Sequence, residues 1–183
     1  MAIKVEINAS AKLPKNVEAR VQQILQSVPR EHLHGIERLR LVDSITDPRL
    51  KTNQKTDLPG LYHPRQGTQK AWLEVAIDVL LPRQQPFLKR LLPRLSFKAN
   101  LAAVIFSLVG QHYYLTLRHS VKKGQLETLV RSYTEKQLRA WNEREHSFRA
   151  RLFKPLQPYL EKWGRALQKR AAAEKKKSRA AGA

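Results

Sequence analysis

The run at 101–109 (LAAVIFSLV), inside the longer stretch 97–119 (FKANLAAVIFSLVGQHYYLTLRH), constrains this chain more than any other segment. It is apolar on nearly every side, the pattern of a helix buried all round. Asn100, Ser107 and Gln111, at i, i+7 and i+11, nevertheless fall on one stripe of that helix. Gly110 stands inside it and His112 follows. A buried helix that keeps a single polar stripe and an interior glycine is expected to line a cleft.

The flanking segments predict a sheet before this helix and more helix after it. Residues 3–7 (IKVEI) alternate with period two and predict a short strand. Asn16 is placed to cap a helix running to about Ser27, with Val17, Val21, Ile24, Leu25 and Val28 as its apolar stripe. Pro29 stops it, and 36–42 (IERLRLV) predict a second strand after His34-Gly35. The polar segment 43–58 reads as a loop and 59–64 (PGLYHP) as a turn. Over 72–81 (WLEVAIDVLL), Leu73, Val75, Ile77 and Val79 alternate with Glu74, Ala76 and Asp78. That is the clearest strand, expected beside the central helix as an edge strand running past Ser107 and Gln111.

Pro82, Pro86 and Pro93 predict only short turns over 82–95. A turn at Lys122-Lys123-Gly124 leads to a second long helix over 125–144, carrying Leu126, Leu129, Val130, Tyr133 and Trp141. Helix continues at 148–153 and again at 159–173, and 174–183 (EKKKSRAAGA) is expected to be disordered. The predicted class is α+β: a small mixed sheet of three to four strands packed on long helices. The core would span 1–145, a helical extension 146–173 and a basic tail 174–183.

With no cysteine, the chain has no disulfide, thiolate zinc site or thiol nucleophile. The opening MAIKVEINAS lacks the basic-then-apolar pattern of a signal peptide. No apolar run reaches the roughly 18–20 residues that cross a membrane, so a cytoplasmic protein without a membrane partner is expected. The 35 Lys and Arg outweigh 15 Asp and Glu, a net charge of +20 that draws in polyanions. Candidate polyanion contacts are Lys122, Lys123, Arg131, Lys169, Arg170, Lys175, Lys176 and Lys177. A solvated basic face is the plainer reading of the same residues, and no helix-turn-helix, zinc-finger or RNA-binding sheet signature accompanies them.

The window Ser107-Leu108-Val109-Gly110-Gln111-His112 resembles the active-site helix of small bacterial zincin metallopeptidases, an apolar run followed by H-E-x-G-H-H and an aromatic. The order and spacing of 28–42, 60–62 and 72–81 before the helix are similar as well, and the resemblance covers about 16–141. Zincin chemistry needs two imidazoles one turn apart on one Zn²⁺ and a glutamate beside the first as general base. The resemblance puts Ser107 and Gln111 at the two histidine positions and Leu108 at the glutamate. Serine, leucine and glutamine neither bind zinc this way nor activate water.

The resemblance thus implies a zincin-like fold without its peptidase chemistry, holding no metal or cofactor and acting as a binding or scaffold module. It also implies that the third-ligand glutamate falls on Glu127, or with a one-residue slip on Thr128, within the run 127–134. His112 alone makes no metal site. The expected degenerate cleft comprises Asn100, Ser107, Gln111, His112 and Glu127. In this family the edge strand holds an extended peptide through backbone groups, so a peptide or protein partner is implied. The alternative is a nucleic-acid-associated protein using its basic surface and tail.

Overall fold

The computed structural model describes residues 3–10, 13–45, 47, 58–82, 87–117 and 123–153. The strands are β1 (Lys4–Ile7), β2 (Ile36–Val42), β3 (Gly60–His63) and β4 (Ala71–Ala76). The helices are α1 (Val17–Ser27), the single turn α2 (Ile77–Leu80), the central α3 (Phe87–His112) and α4 (Leu126–Phe153). Short 3-10 turns lie at Arg30–Leu33 and Lys123–Gln125, and a wider π-helical turn, Tyr113–Leu117, prolongs α3.

The strands form one mixed sheet in the order β1-β2-β4-β3. β1, β2 and β4 are parallel neighbours, and β3 closes one edge antiparallel to β4. The α+β class and small mixed sheet are therefore as the sequence predicts. The expected edge strand is not: β4 lies between β2 and β3, and β3 is the edge. The PGLYHP segment, read as a turn, pairs from Gly60↔Val75 to His63↔Trp72. Its prolines flank the strand, where no ladder N–H is lost, and Pro59 still accepts a 3.0 Å bond from the Ala76 amide.

Three further expectations fail for local reasons. The strand predicted over 72–81 ends at Ala76, where the chain turns into α2. Ile77 and Leu80, three apart, are both buried, so a helical turn serves the core as well as alternation would. The Asp78 amide bonds the Asp43 carbonyl at 3.1 Å and fixes that turn. The prolines of 82–95 likewise do not prevent helix. α3 starts at Phe87 and runs 26 residues with Pro93 inside it, giving up one N–H bond among good helix formers. Asn16 precedes α1, but it takes a left-handed conformation (φ 63°) and its side chain makes no cap bond.

α1 and α3 cover the same face of the sheet. Leu39, Leu41, Leu73 and Val75 meet Val21, Ile24 and Leu25 of α1 and Leu101, Ile105, Phe106 and Val109 of α3, all buried. Burying each such side chain contributes roughly 1.5–3 kcal/mol. The central helix is not buried all round: Ala103, Val104 and Ser107 keep partial exposure.

Edge strand β3 sits tight on α3. A β-carbon at Gly60 would stand 2.8 Å from Val104 Cγ1 and 2.9 Å from the Glu74 carbonyl oxygen, so only glycine lets the strand approach this closely. The chain divides into two compact units, Met1–Trp141 and Asn142–Ala183. All the packing above belongs to the first, and of the second the described residues 142–153 are helical. Among the described residues no helix is long and apolar enough to cross a membrane.

Candidate functional site

The predicted polar stripe separates into parts with different fates. Ser107 and Gln111, one turn apart on α3, line a pocket of about 510 Å³ whose other wall is α4. Leu126, Glu127, Val130 and Arg131 supply most of that wall, with Thr134 and Glu135 beyond them. Three of the five predicted cleft residues, Ser107, Gln111 and Glu127, thus share one pocket although Glu127 is remote from the others in sequence. Thr128 is exposed and is not among the lining residues.

Asn100 lies outside the pocket. It is exposed, and its side-chain amide donates to Ser96 Oγ at 3.2 Å, a contact within its own helix. Two turns, about 10 Å of rise, separate it from Ser107 and carry it along the helix beyond the pocket lining.

His112 is also not among the residues lining this pocket. It is 2% exposed, and its Nε2–H donates to the His34 carbonyl at 2.8 Å. Nδ1 is then the acceptor and takes the Tyr62 hydroxyl at 3.1 Å. One neutral imidazole so ties α3 to the edge strand and to the turn before β2. Burial holds His112 below the ordinary imidazole range and pushes the Tyr62 hydroxyl up. Gly35, at φ 92°, makes the turn that brings the His34 carbonyl into reach.

The interior glycine has a packing role. A β-carbon on Gly110 would lie 2.9 Å from Tyr133 Cδ1, so Gly110 lets the Tyr133 ring of α4 press onto α3. The Tyr133 hydroxyl meets His32 Nδ1 at 2.9 Å, and the His32 ring lies 4.2 Å from that of Tyr113. Burial lowers the pKa of His32 and raises that of Tyr133. Sequence reasoning missed His32, Tyr62 and Tyr133, because no spacing announces bonds between residues this far apart.

Of the candidate polyanion contacts, Arg131 is exposed on the pocket rim and its Nε donates to Glu135 at 3.3 Å. Lys123 opens the 3-10 turn before α4. Lys122, Lys169, Arg170, Lys175, Lys176 and Lys177 lie outside the described residues, as do the expectations for the tail and for the third helix.

The far face of the sheet carries a second polar group. Trp72 stacks on His63 with ring centroids 3.6 Å apart, and the guanidinium of Arg40 stands 4.9 Å from the Trp72 ring centre. These residues are committed to one another: His63 Nε2 donates to Glu74 at 3.0 Å, and Arg40 to Glu6 at 2.8 Å. The guanidinium of Arg40, then the ammonium of Lys4, holds the Glu6 carboxyl below its usual range.

Among the described residues no three or more His, Cys, Asp or Glu stand together to hold a metal ion. What the α3–α4 pocket offers is two hydroxyls, a carboxamide, two carboxylates and a guanidinium beside apolar walls, a set suited to binding by hydrogen bonds and charge. No known protein family, no curated protein and no solved structure matches the chain.

Proposed function

We propose that this chain is a cytoplasmic binding module with a zincin-like fold, catalytically inactive, that holds a polypeptide segment at the α3–α4 pocket. The observation that carries the reading is the meeting of Ser107, Gln111 and Glu127 in one pocket. These are the positions at which the resemblance expects the three metal ligands, and residues that cannot form a His₂Glu site occupy two of them. The antiparallel edge strand β3 on α3 supports the same reading, since strand addition needs only backbone groups.

The test is selection from a random peptide library on the purified protein. Peptides that bind should be recovered uncut and should lose binding to a Ser107→Leu, Gln111→Leu double variant that remains folded. Cleavage of the bound peptides, or equal capture by the double variant, contradicts the proposal. A second reading, association with nucleic acid, rests on the net charge of +20 alone.

A further inference from the structure

We infer that the α3–α4 pocket accepts the cationic side chain of a lysine or arginine in the bound polypeptide, an inference that rests on the binding-module reading above. The charges lining the pocket are Glu127, Arg131 and Glu135. Arg131 and Glu135 are engaged with each other through a 3.3 Å bond on one helix face. Glu127 is the uncommitted charge: no hydrogen bond or ion pair joins its side chain to another described residue. The Ser107 hydroxyl and the Gln111 amide are equally unengaged among the described residues. His112 and Tyr62, His32 and Tyr133, and Glu74 and His63 are by contrast paired with one another.

The walls complete the match. Leu126 and Val130 offer apolar surface for the methylene stem of a long cationic side chain. Glu127 meets the charged head, while the Ser107 hydroxyl and the Gln111 carbonyl oxygen accept its remaining N–H groups. A phosphate or an acidic side chain in the same place would face the Glu127 carboxylate. The rest of the molecule pulls the other way, because a net charge of +20 repels cations and attracts anions. Preference for a basic peptide therefore cannot arise from the overall field and has to come from the pocket.

The test titrates the ¹⁵N-labelled full chain with capped pentapeptides Thr-Val-X-Val-Thr in which X is Lys, Arg, Gln or Glu. The readouts are the Gln111 side-chain amide and the Glu127 backbone amide. The Lys or Arg peptide should bind about threefold to fivefold more tightly than the Gln peptide, the scale of one exposed ion pair. Comparison of the two shows which head group fits better. Glu127→Gln should remove the preference, and Glu127→Lys should turn it toward the Glu peptide. Equal binding of the Gln and Lys peptides at these resonances, or a preference unchanged in Glu127→Gln, overturns this inference and leaves the binding-module reading standing. No shift with any of the four peptides overturns both.

Discussion

The ring of Tyr133 lies so close to Gly110 that a β-carbon there would sit 2.9 Å from its Cδ1. Gly110→Ala should force the ring off α3 and strain its bond to His32. The expected destabilisation is about 1–3 kcal/mol, the usual cost of overpacking. Gly60→Ala should cost more, because one clash, at 2.9 Å, is with the Glu74 backbone carbonyl, which cannot swing aside as a side chain can. Denaturant midpoints of the two variants measure both effects. Unchanged midpoints would contradict the close packing of Tyr133 and β3 on α3.

His112 and His32 give stability a pH dependence of definite sign. Burial lowers the folded pKa of each below the unfolded value of about 6.5. The unfolded chain then binds more protons as the solution is acidified, so stability is fully present above about pH 6.5 and falls below it. Glu6, whose folded pKa is also lowered, adds a loss of the same sign in a separate, more acidic window, below its ordinary 4.5. His112→Phe should flatten the slope near neutrality. It should also destabilise, since the His34 carbonyl and Tyr62 hydroxyl lose their partner at about 1–3 kcal/mol for each group left buried and unmatched. Unfolding curves at pH 7.5 and 5.5 check this, and a midpoint that rises on acidification would contradict it.

The charge of +20 makes its own prediction. Sequence-independent binding to DNA or RNA is expected at low salt, falling steeply as salt rises. Removing 174–183, which adds Lys175, Lys176, Lys177 and Arg179, should weaken the binding. Undetectable binding at about 50 mM salt would leave the charge without this role.

What the sequence revealed follows from the range of the forces involved. α1 was legible because Val17, Val21, Ile24 and Leu25 repeat at helical spacing and all four are buried. β3 was not, because four residues between prolines carry too little alternation, and the glycine among them reads as a turn. The alternation of β4 continued past Ala76 on paper, but Ile77 and Leu80 also satisfy the three-residue spacing of a helical turn.

The site was legible in part. Ser107 and Gln111 share a helix face and could be paired by counting, while the resemblance supplied Glu127. Asn100 was included by the same counting and proved to bond Ser96 instead. The role of His112 depends on Tyr62 and His34, 50 and 78 positions away, and no local pattern encodes such contacts.

On the proposed function, positions 107, 111 and 127, which line one pocket, stand where a zincin carries its three metal ligands, with Glu127 the one ligand-type residue kept. Zinc titration of a Ser107→His, Gln111→His double variant tests it most directly. Two histidines one turn apart should then join Glu127 in holding one Zn²⁺. Glu127→Ala in that background should loosen binding about tenfold or more, the scale on which metal sites answer to loss of a supporting group. Zinc affinity that is the same with and without Glu127, or no zinc binding by the folded double variant, would contradict the account.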